Sequence, residues 1–153
     1  MYSLEPDQLT DDALTDRVRV FQRRGGHRYS VDDVSTTWVA LRGADCQARS
    51  CLDLGCGIGS VLLMLADRIP SARAVGIGAQ AISYALAERN IERNRLVRRV
   101  SAQFGDLRDL SLLDRTLQAE AAFGREFGFD LVTGTPPYKP LGTASVSRSE
   151  EHT

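Results

Sequence analysis

The chain has 153 residues, which is the length of one domain of ordinary size. Its apolar fraction of 42% and charged fraction of 25% are typical of a globular protein that buries a core. Because 19 lysines and arginines face 20 aspartates and glutamates, the net charge of −1 argues against gripping nucleic acid through bulk positive charge, although a local basic patch stays open.

Cysteine and histidine spacing argues against a zinc site. The three cysteines are five residues apart without a C-x-x-C pair, and the chain has two histidines, so we expect no metal. The longest apolar run, residues 61–66, is far too short to cross a bilayer. An odd cysteine count and an N-terminus without a signal-peptide pattern favour a reducing compartment, the cytoplasm.

Helical and strand patterns alternate after a polar N-terminal segment. The first helix begins at Ser30, where Asp33 completes a capping box, and its apolar face carries Val31, Val34, Trp38 and Leu41. The following elements are a strand at 51–54, a helix at 60–69, a strand at 74–77, a helix at 79–95, a strand at 100–104, a helix at 110–123 and a strand at 129–133. This order predicts an α/β fold, a Rossmann-like doubly wound parallel sheet whose ligands bind beyond the carboxyl ends of the strands.

The loop after the first predicted strand reads D-L-G-C-G-I-G-S from Asp53 to Ser60. Its alternate glycines, Gly55, Gly57 and Gly59, allow a tight turn and a close approach of the backbone to a ligand. The free amides at the start of the next helix face the same space. A dinucleotide-binding loop would have its third glycine where Ser60 stands, which disfavours a nicotinamide cofactor. A glycine-rich turn without a ligand is the alternative.

This spacing, with an acid inside the strand, resembles motif I of the class I S-adenosylmethionine-dependent methyltransferases. The resemblance implies that the glycine loop packs against the methionine moiety of S-adenosylmethionine. The cofactor-binding residues that it implies in this loop are Asp53, Gly55, Cys56, Gly57 and Gly59.

The resemblance also assigns roles to the next two loops. Where the family usually has an acid that binds both ribose hydroxyls, this chain has Gly78, which would weaken cofactor binding roughly ten- to a hundredfold. Gln80 either compensates in part or faces solvent. After the third strand, Asp106, followed by Leu107, would accept a hydrogen bond from the adenine amino group. Alternatively Asp106 caps the next helix, a role for which Asp109 competes.

Thr135, Pro136, Pro137 and Tyr138 follow the fourth strand and are similar to the [DN]-P-P-[YF] motif of methyltransferases that act on an amide or exocyclic amine. The resemblance implies that the first residue accepts a hydrogen bond from the target NH₂, the prolines stiffen the turn and the ring stacks on a planar target. Catalysis is then mostly alignment for in-line displacement. Thr135 replaces asparagine or aspartate, and its hydroxyl can still accept one hydrogen bond. A proline-stiffened turn without chemistry is the alternative.

Residues 22–32, Q-R-R-G-G-H-R-Y-S-V-D, resemble the arm of a narrower group, the methyltransferase small-domain proteins akin to tRNA adenine-N6 methyltransferases. In that group the arm leads into a helix that caps the cofactor cleft. Arg23, Arg24, His27 and Arg28 either contact RNA phosphates or form a solvated face. We therefore expect an N-terminal arm at 1–29 and an S-adenosylmethionine-binding domain at 30–138.

Residues 139–153 show no helix or strand pattern and are expected to form a disordered tail. Class I methyltransferases continue past the fourth motif with three more strands, so we expect a sheet truncated after the fourth strand, with an exposed edge. The leading interpretation is an S-adenosylmethionine-dependent methyltransferase acting on an amine nitrogen, with adenine N6 in RNA (tRNA) as its substrate. The alternatives are a truncated or degenerate protein without turnover, and a methyltransferase for a protein glutamine or a small molecule.

Overall fold

The computed structural model of the chain describes residues 4–26, 28–44, 47–121 and 128–136. A 3₁₀ turn at Pro6–Gln8 precedes the other elements. These are, in chain order, β1 (Leu9–Ala13), β2 (Arg19–Arg23), α1 (Val31–Gly43), β3 (Ser50–Leu54), α2 (Ser60–Arg68), β4 (Arg73–Gly78), α3 (Ala81–Arg93), β5 (Val100–Phe104), α4 (Leu110–Ala121) and β6 (Leu131–Gly134). No helix in this described part of the chain is long and apolar enough to cross a membrane.

The main sheet has four parallel strands in the order β5-β4-β3-β6. Leu54 at the end of β3 lies opposite both Ile77 of β4 and Gly134 of β6, so the strands end at one common edge. The strand order reverses between β3 and β6, which is the position where doubly wound sheets bind ligands. The α/β sheet predicted from the sequence is confirmed.

Helix α2 forms the centre of the core. Its residues from Ser60 to Ala66 are all buried, and Leu62, Leu63 and Leu65 are fully so. They pack against the apolar side chains of the parallel strands. A helix that is apolar on all sides has to be buried, which explains this central position. The burial of α2 fixes the start of this helix, and therefore the glycine loop before it, relative to the sheet.

The last strand is shorter than predicted. It begins at Leu131 instead of Phe129, and the Asp130 side chain just before it turns toward the start of β3. The Asp130 carboxylate accepts hydrogen bonds from the amides of Arg49, at 2.6 Å, and Ser50, at 3.1 Å. Among the described strands none pairs with the outer edge of β6.

The polar N-terminal segment, for which no secondary structure was predicted, contains a β-hairpin. Strands β1 and β2 pair antiparallel, with Leu9 opposite Arg23. Val20 and Gln22 of β2 are buried, at 0% and 1% exposure. Val18, Val20 and Gln22 alternate along the chain, and their side chains are the buried ones. The sequence pattern does not predict a strand here, because a glutamine is expected to be exposed.

The predicted apolar face of α1 is mostly exposed. Val31 is 79% exposed and Trp38 59%, whereas Asp33 and Thr37 are buried. The capping box of Ser30 is confirmed, and it places the Asp33 carboxylate on the side of the helix that faces α2. Of the predicted apolar face, Leu41 packs against the core, so this contact and the hydrogen bond between Asp33 and Ser60 orient the helix.

Candidate cofactor site

The backbone of the glycine loop between β3 and α2 follows a path that favours glycine. Gly55, Gly57 and Gly59 have φ values of +74°, +53° and +87°, a region that side chains rarely adopt. The amides of Gly55 and Cys56 both donate to the Ile77 carbonyl at 2.9 Å, which ties the loop to the end of β4. Space is open beyond Gly55 and Gly57, since an added Cβ at either position would meet no atom within 4 Å. The loop thus forms a backbone cradle at the sheet edge.

Helix α2 begins directly behind this cradle. Its N-cap is Gly59, which has no side chain to satisfy the free amides of the first turn. These amides and the positive end of the helix dipole face the end of the sheet. The loop and the helix start together provide hydrogen-bond donors for a polar or negatively charged ligand group.

Asp53 lies two residues before Gly55, the first glycine of the cradle, and is buried, at 2% exposure. The Thr133 hydroxyl of β6 donates to its carboxylate at 2.9 Å. Burial raises the pKa of Asp53 to about 6, the hydrogen bond from Thr133 opposes this shift, and the charge of Asp33 adds to it. Asp53 therefore links the strand before the glycine loop to the strand before Thr135.

Asp33 is the second buried acid beside the cradle. Its carboxylate accepts hydrogen bonds from the Ser60 hydroxyl at 2.9 Å and from the Ser30 amide at 3.1 Å. The same side chain thus caps α1 and holds the first residue of α2. The sequence indicated only the capping box, since Ser60 is 27 residues away and no local pattern points to it.

Gly76 and Gly78 face Cys56 in different ways. A Cβ at Gly76 would lie 2.8 Å from the Cys56 side chain, which is a clash, whereas a Cβ at Gly78 would lie 3.6 Å from the Cys56 sulfur, an ordinary contact. Packing therefore allows a Cβ at position 78, where the resemblance implies an acid. Gln80 is exposed at the start of α3, and its side-chain oxygen accepts a hydrogen bond from the Ser83 hydroxyl at 3.1 Å.

Cys56 itself is buried beside these glycines, at 5% exposure. Burial raises the pKa of its thiol to about 12, and the charge of Asp53 contributes to the same shift. The thiol is therefore neutral and packs as a small apolar group, not as a nucleophile.

Two acids follow β5, and they do different things. Asp109 accepts a hydrogen bond from the Ser111 amide at 3.0 Å, which caps the first turn of α4. Asp106 accepts the Arg108 amide at 2.9 Å, before α4 begins, and also the guanidinium Nε of Arg108 at 3.0 Å. The side-chain hydrogen bond, helped by the backbone one, lowers the pKa of Asp106 to about 2. Leu107 between them is 37% exposed. Asp106 thus stays an ionised acceptor at the strand end.

An aromatic pair that the sequence did not single out lies at this edge. Phe104 ends β5 and is 54% exposed, and its ring centroid is 5.6 Å from that of Tyr84 on α3. The two rings form an apolar surface next to the loop that carries Asp106. The sequence could have indicated Phe104 as a site residue, because it is the last residue of a strand and directly precedes that loop.

Thr135 and Pro136 follow β6 on the same edge as the glycine loop. Thr135 is half-buried and Pro136 is exposed. β6 approaches β3 closely here, since a Cβ at Gly134 would lie 3.3 Å from the Leu54 carbonyl oxygen. Pro137 and Tyr138 lie outside the described residues.

The arm motif is held internally by polar contacts. The buried Gln22 donates to the Asp12 carboxylate at 2.9 Å and accepts from the Tyr29 amide at 3.1 Å. Arg28 forms an ion pair with Asp12 at 3.0 Å and donates to the Arg23 carbonyl at 3.1 Å. These two motif residues therefore stabilise the hairpin. His27 lies outside the described residues.

Comparison with known proteins identifies the family. The family described as Methyltransferase domain matches residues 51–132, from β3 into β6, which is more than half of the chain. The chain therefore belongs to the class I S-adenosylmethionine-dependent methyltransferases, and S-adenosylmethionine is the cofactor of this family. The resemblance inferred from the glycine loop is confirmed.

Two curated relatives are similar to this chain. A tRNA1(Val) (adenine(37)-N6)-methyltransferase of Porphyromonas gingivalis is 34% identical over 101 residues, 66% of this chain and 36% of the relative. A release factor glutamine methyltransferase of Geobacter sulfurreducens is 36% identical over 111 residues, 72% of this chain and 34% of the relative. The chain spans about a third of the length of both.

Solved structures with the same fold include two TYW2 proteins. The M. jannaschii protein, in complex with AdoMet, has a TM-score of 0.57 at 18% identity, over 71% of this chain and 48% of its own. The P. horikoshii protein, in complex with MeSAdo, has a TM-score of 0.57 at 21% identity, over 67% of this chain and 38% of its own. At this identity the likeness shows the fold.

Proposed function

We propose that this chain binds S-adenosylmethionine at the carboxyl edge of its sheet and contributes the cofactor-binding part of an amine methyltransferase, with adenine N6 in RNA as the acceptor. The observation that carries the proposal is the cradle of Gly55, Gly57 and Gly59. Their left-handed backbone, the open space beyond Gly55 and Gly57, and the uncapped start of α2 fit a ligand that lies directly on the backbone.

Different residues around the cradle would bind different parts of the cofactor. The glycine-loop amides would receive the methionine moiety, while Asp53 holds the strand beneath it. Asp106, which lies at a strand end and is ion-paired with Arg108, would accept the adenine amino group once Arg108 yields an oxygen, with Leu107 and Phe104 as apolar neighbours. Gly78 has no side chain where the family usually has a ribose-binding acid, so we expect weak binding.

Methyl transfer would depend mainly on alignment. The cofactor supplies a methyl group on a positively charged sulfur, which needs no metal to leave. Thr135 lies at the end of β6, and its hydroxyl would accept a hydrogen bond from the target amine, orienting the nitrogen lone pair. Pro136 would stiffen this segment.

The acceptor proposal follows the relative named as a tRNA adenine-N6 methyltransferase, which is 34% identical over 66% of this chain. A second candidate acceptor is a protein glutamine, because the release factor glutamine methyltransferase is 36% identical over 72% of this chain. Both acceptors present a planar NH₂ group to which a single hydroxyl acceptor could bind. The arginines of the arm provide positive charge for an RNA acceptor, although Arg28 is already paired with Asp12.

Calorimetric titration with S-adenosylmethionine tests the cofactor step. We expect saturable binding in roughly the high micromolar range, because the ribose acid is absent. A Gly57→Val variant is the control, since a β-branched side chain at a φ of +53° distorts the cradle and should abolish the heat. No heat from the natural chain at near-millimolar cofactor would refute the proposal.

Transfer of a labelled methyl group tests the acceptor. The chain is incubated with labelled cofactor and either an adenine-rich RNA hairpin or a glutamine-containing peptide. Label in N6-methyladenine supports the RNA acceptor, and label in the peptide favours the second candidate. Cofactor binding without label in either acceptor would leave the cofactor proposal standing and reject both of these acceptors.

A further inference from the structure

Asn90, a buried residue of α3, joins the N-terminal hairpin to the glycine loop. Its side chain is 0% exposed. The amide oxygen accepts from the Phe21 amide at 2.6 Å. The amide nitrogen donates to the Phe21 carbonyl at 3.1 Å and to the Ile58 carbonyl at 3.0 Å. Both donor hydrogens are thus used, and one of them holds the residue between Gly57 and Gly59.

Asn94, one helical turn later, repeats the contact with the hairpin. Its side chain accepts from the Arg19 amide at 3.0 Å and donates to the Arg19 carbonyl at 2.7 Å. The two asparagines therefore bind alternate residues of β2 in the way that a neighbouring strand would. The remaining donor of Asn94 goes to the Asn90 carbonyl at 2.7 Å, within the helix, and not to the glycine loop.

Apolar contacts reinforce the link through Asn90. The Ile58 side chain packs in one cluster with Leu9 of the hairpin and Leu86 of α3, and Phe21 lies at its margin. Next to it, a Cβ at Gly59 would lie 3.6 Å from the Cβ of Ala87. The hairpin and α3 therefore pack directly behind the middle of the loop.

We propose that Asn90 is a positioning residue for the cofactor, which holds the Ile58 carbonyl and makes the N-terminal hairpin a built-in support of the cofactor site. The inference rests on the proposed cofactor binding. A buried carbonyl without a hydrogen-bond donor is unfavourable, so the backbone shifts until the carbonyl contacts another donor or water. Residues 55–59 would then sample other conformations, and the cofactor would bind only after the loop is ordered again.

Asn90→Ala and Asn94→Ala are a matched pair, because both remove an asparagine from the same hairpin edge and only the first also frees Ile58. The first measurement is hydrogen–deuterium exchange over residues 55–61 without cofactor. We expect Asn90→Ala to speed exchange there by about tenfold, and Asn94→Ala to leave it at the natural rate. The second measurement is the S-adenosylmethionine dissociation constant, which should rise about tenfold in Asn90→Ala alone.

Equal changes in the two variants, or an unchanged loop in Asn90→Ala, would overturn the inference, since hairpin docking would then explain any effect. If Asn90→Ala does not fold, Asn90→Asp replaces it and Asn94→Asp becomes its matched variant. Aspartate keeps the size and the acceptor for the Phe21 amide but cannot donate to the Ile58 or the Phe21 carbonyl, and Asn94→Asp loses the corresponding donor to the Arg19 carbonyl. Failure of the proposed function gives a different result. The natural chain would then bind no cofactor, while the exchange of residues 55–61 would still differ between the variants.

Discussion

Thr133 on β6 donates its hydroxyl hydrogen to the buried carboxylate of Asp53 on β3 at 2.9 Å. The two strands are neighbours at the point where strand order reverses, and each leads into a loop of the candidate site. One hydrogen bond thus connects the residues before the glycine loop with those before Thr135. Because Asp53 is buried, this bond also makes the pair sensitive to pH.

Asp53→Asn should remove a pH-dependent part of the stability. The pKa of Asp53 is raised from 3.8 to about 6 in the folded chain, so folding favours its protonated form. Its contribution is fully present below about pH 4 and is lost as the pH rises through about 6. The natural chain should therefore lose up to about 3 kcal/mol of unfolding free energy relative to Asp53→Asn across this interval. Urea unfolding of both proteins measures the difference, and a difference that does not vary with pH contradicts the assignment.

Thr133→Val should destabilise the chain more at neutral than at acidic pH. Valine keeps the shape but removes the donor, and a buried ionised carboxylate without its donor costs about 1–3 kcal/mol. Below the pKa of about 6 the carboxyl is protonated, so the cost is smaller. Thr133→Ser is the control because it keeps the hydroxyl. Equal losses for valine at both pH values would show that packing, and not the hydrogen bond, matters.

Gly76→Ala and Gly78→Ala should differ in stability although the positions are two residues apart on one strand. The alanine Cβ at 76 would lie 2.8 Å from Cys56 and 2.9 Å from Leu62, whereas at 78 the nearest atom is at 3.6 Å. We expect a loss of about 1–3 kcal/mol at 76, from overpacking, and less than about 1 kcal/mol at 78. Thermal unfolding of the two variants measures this. A larger loss at 78 would mean that the strand end is packed differently.

Gly78→Glu should strengthen the binding of S-adenosylmethionine. A glutamate at the end of β4 adds a charged acceptor for the ribose hydroxyls, and its Cβ would make only an ordinary contact with the Cys56 sulfur, at 3.6 Å. The dissociation constant should fall about ten- to a hundredfold. Gly78→Gln is the matched control, with the same length and no charge. If neither variant binds more tightly than the natural chain, the ribose does not lie at this strand end.

The elements from β3 to α4 could be predicted because short apolar strands, amphipathic helices and the glycine loop are local patterns. The positions of Gly55, Asp106 and Thr135 at one sheet edge follow from parallel topology alone. What could not be predicted is the polar packing. Asn90 contacts Phe21 across 69 residues, and Gln22 is buried against Asp12, so both side chains look like surface residues in the sequence. Hydrogen bonds between polar groups that are far apart in the chain produce no periodic pattern in the sequence.

Cys51 and Cys56 should resist alkylation in the folded chain. They are 1% and 5% exposed, and burial raises the pKa values of their thiols to about 11 and about 12. At about pH 8 both remain protonated, and the thiolate is the form that reacts with iodoacetamide. Peptide mapping by mass spectrometry should find both unmodified in buffer and both labelled in urea. If Cys56 were labelled in buffer, the glycine loop would have to open on the timescale of the reaction, and the rigid cradle proposed for the cofactor would be wrong.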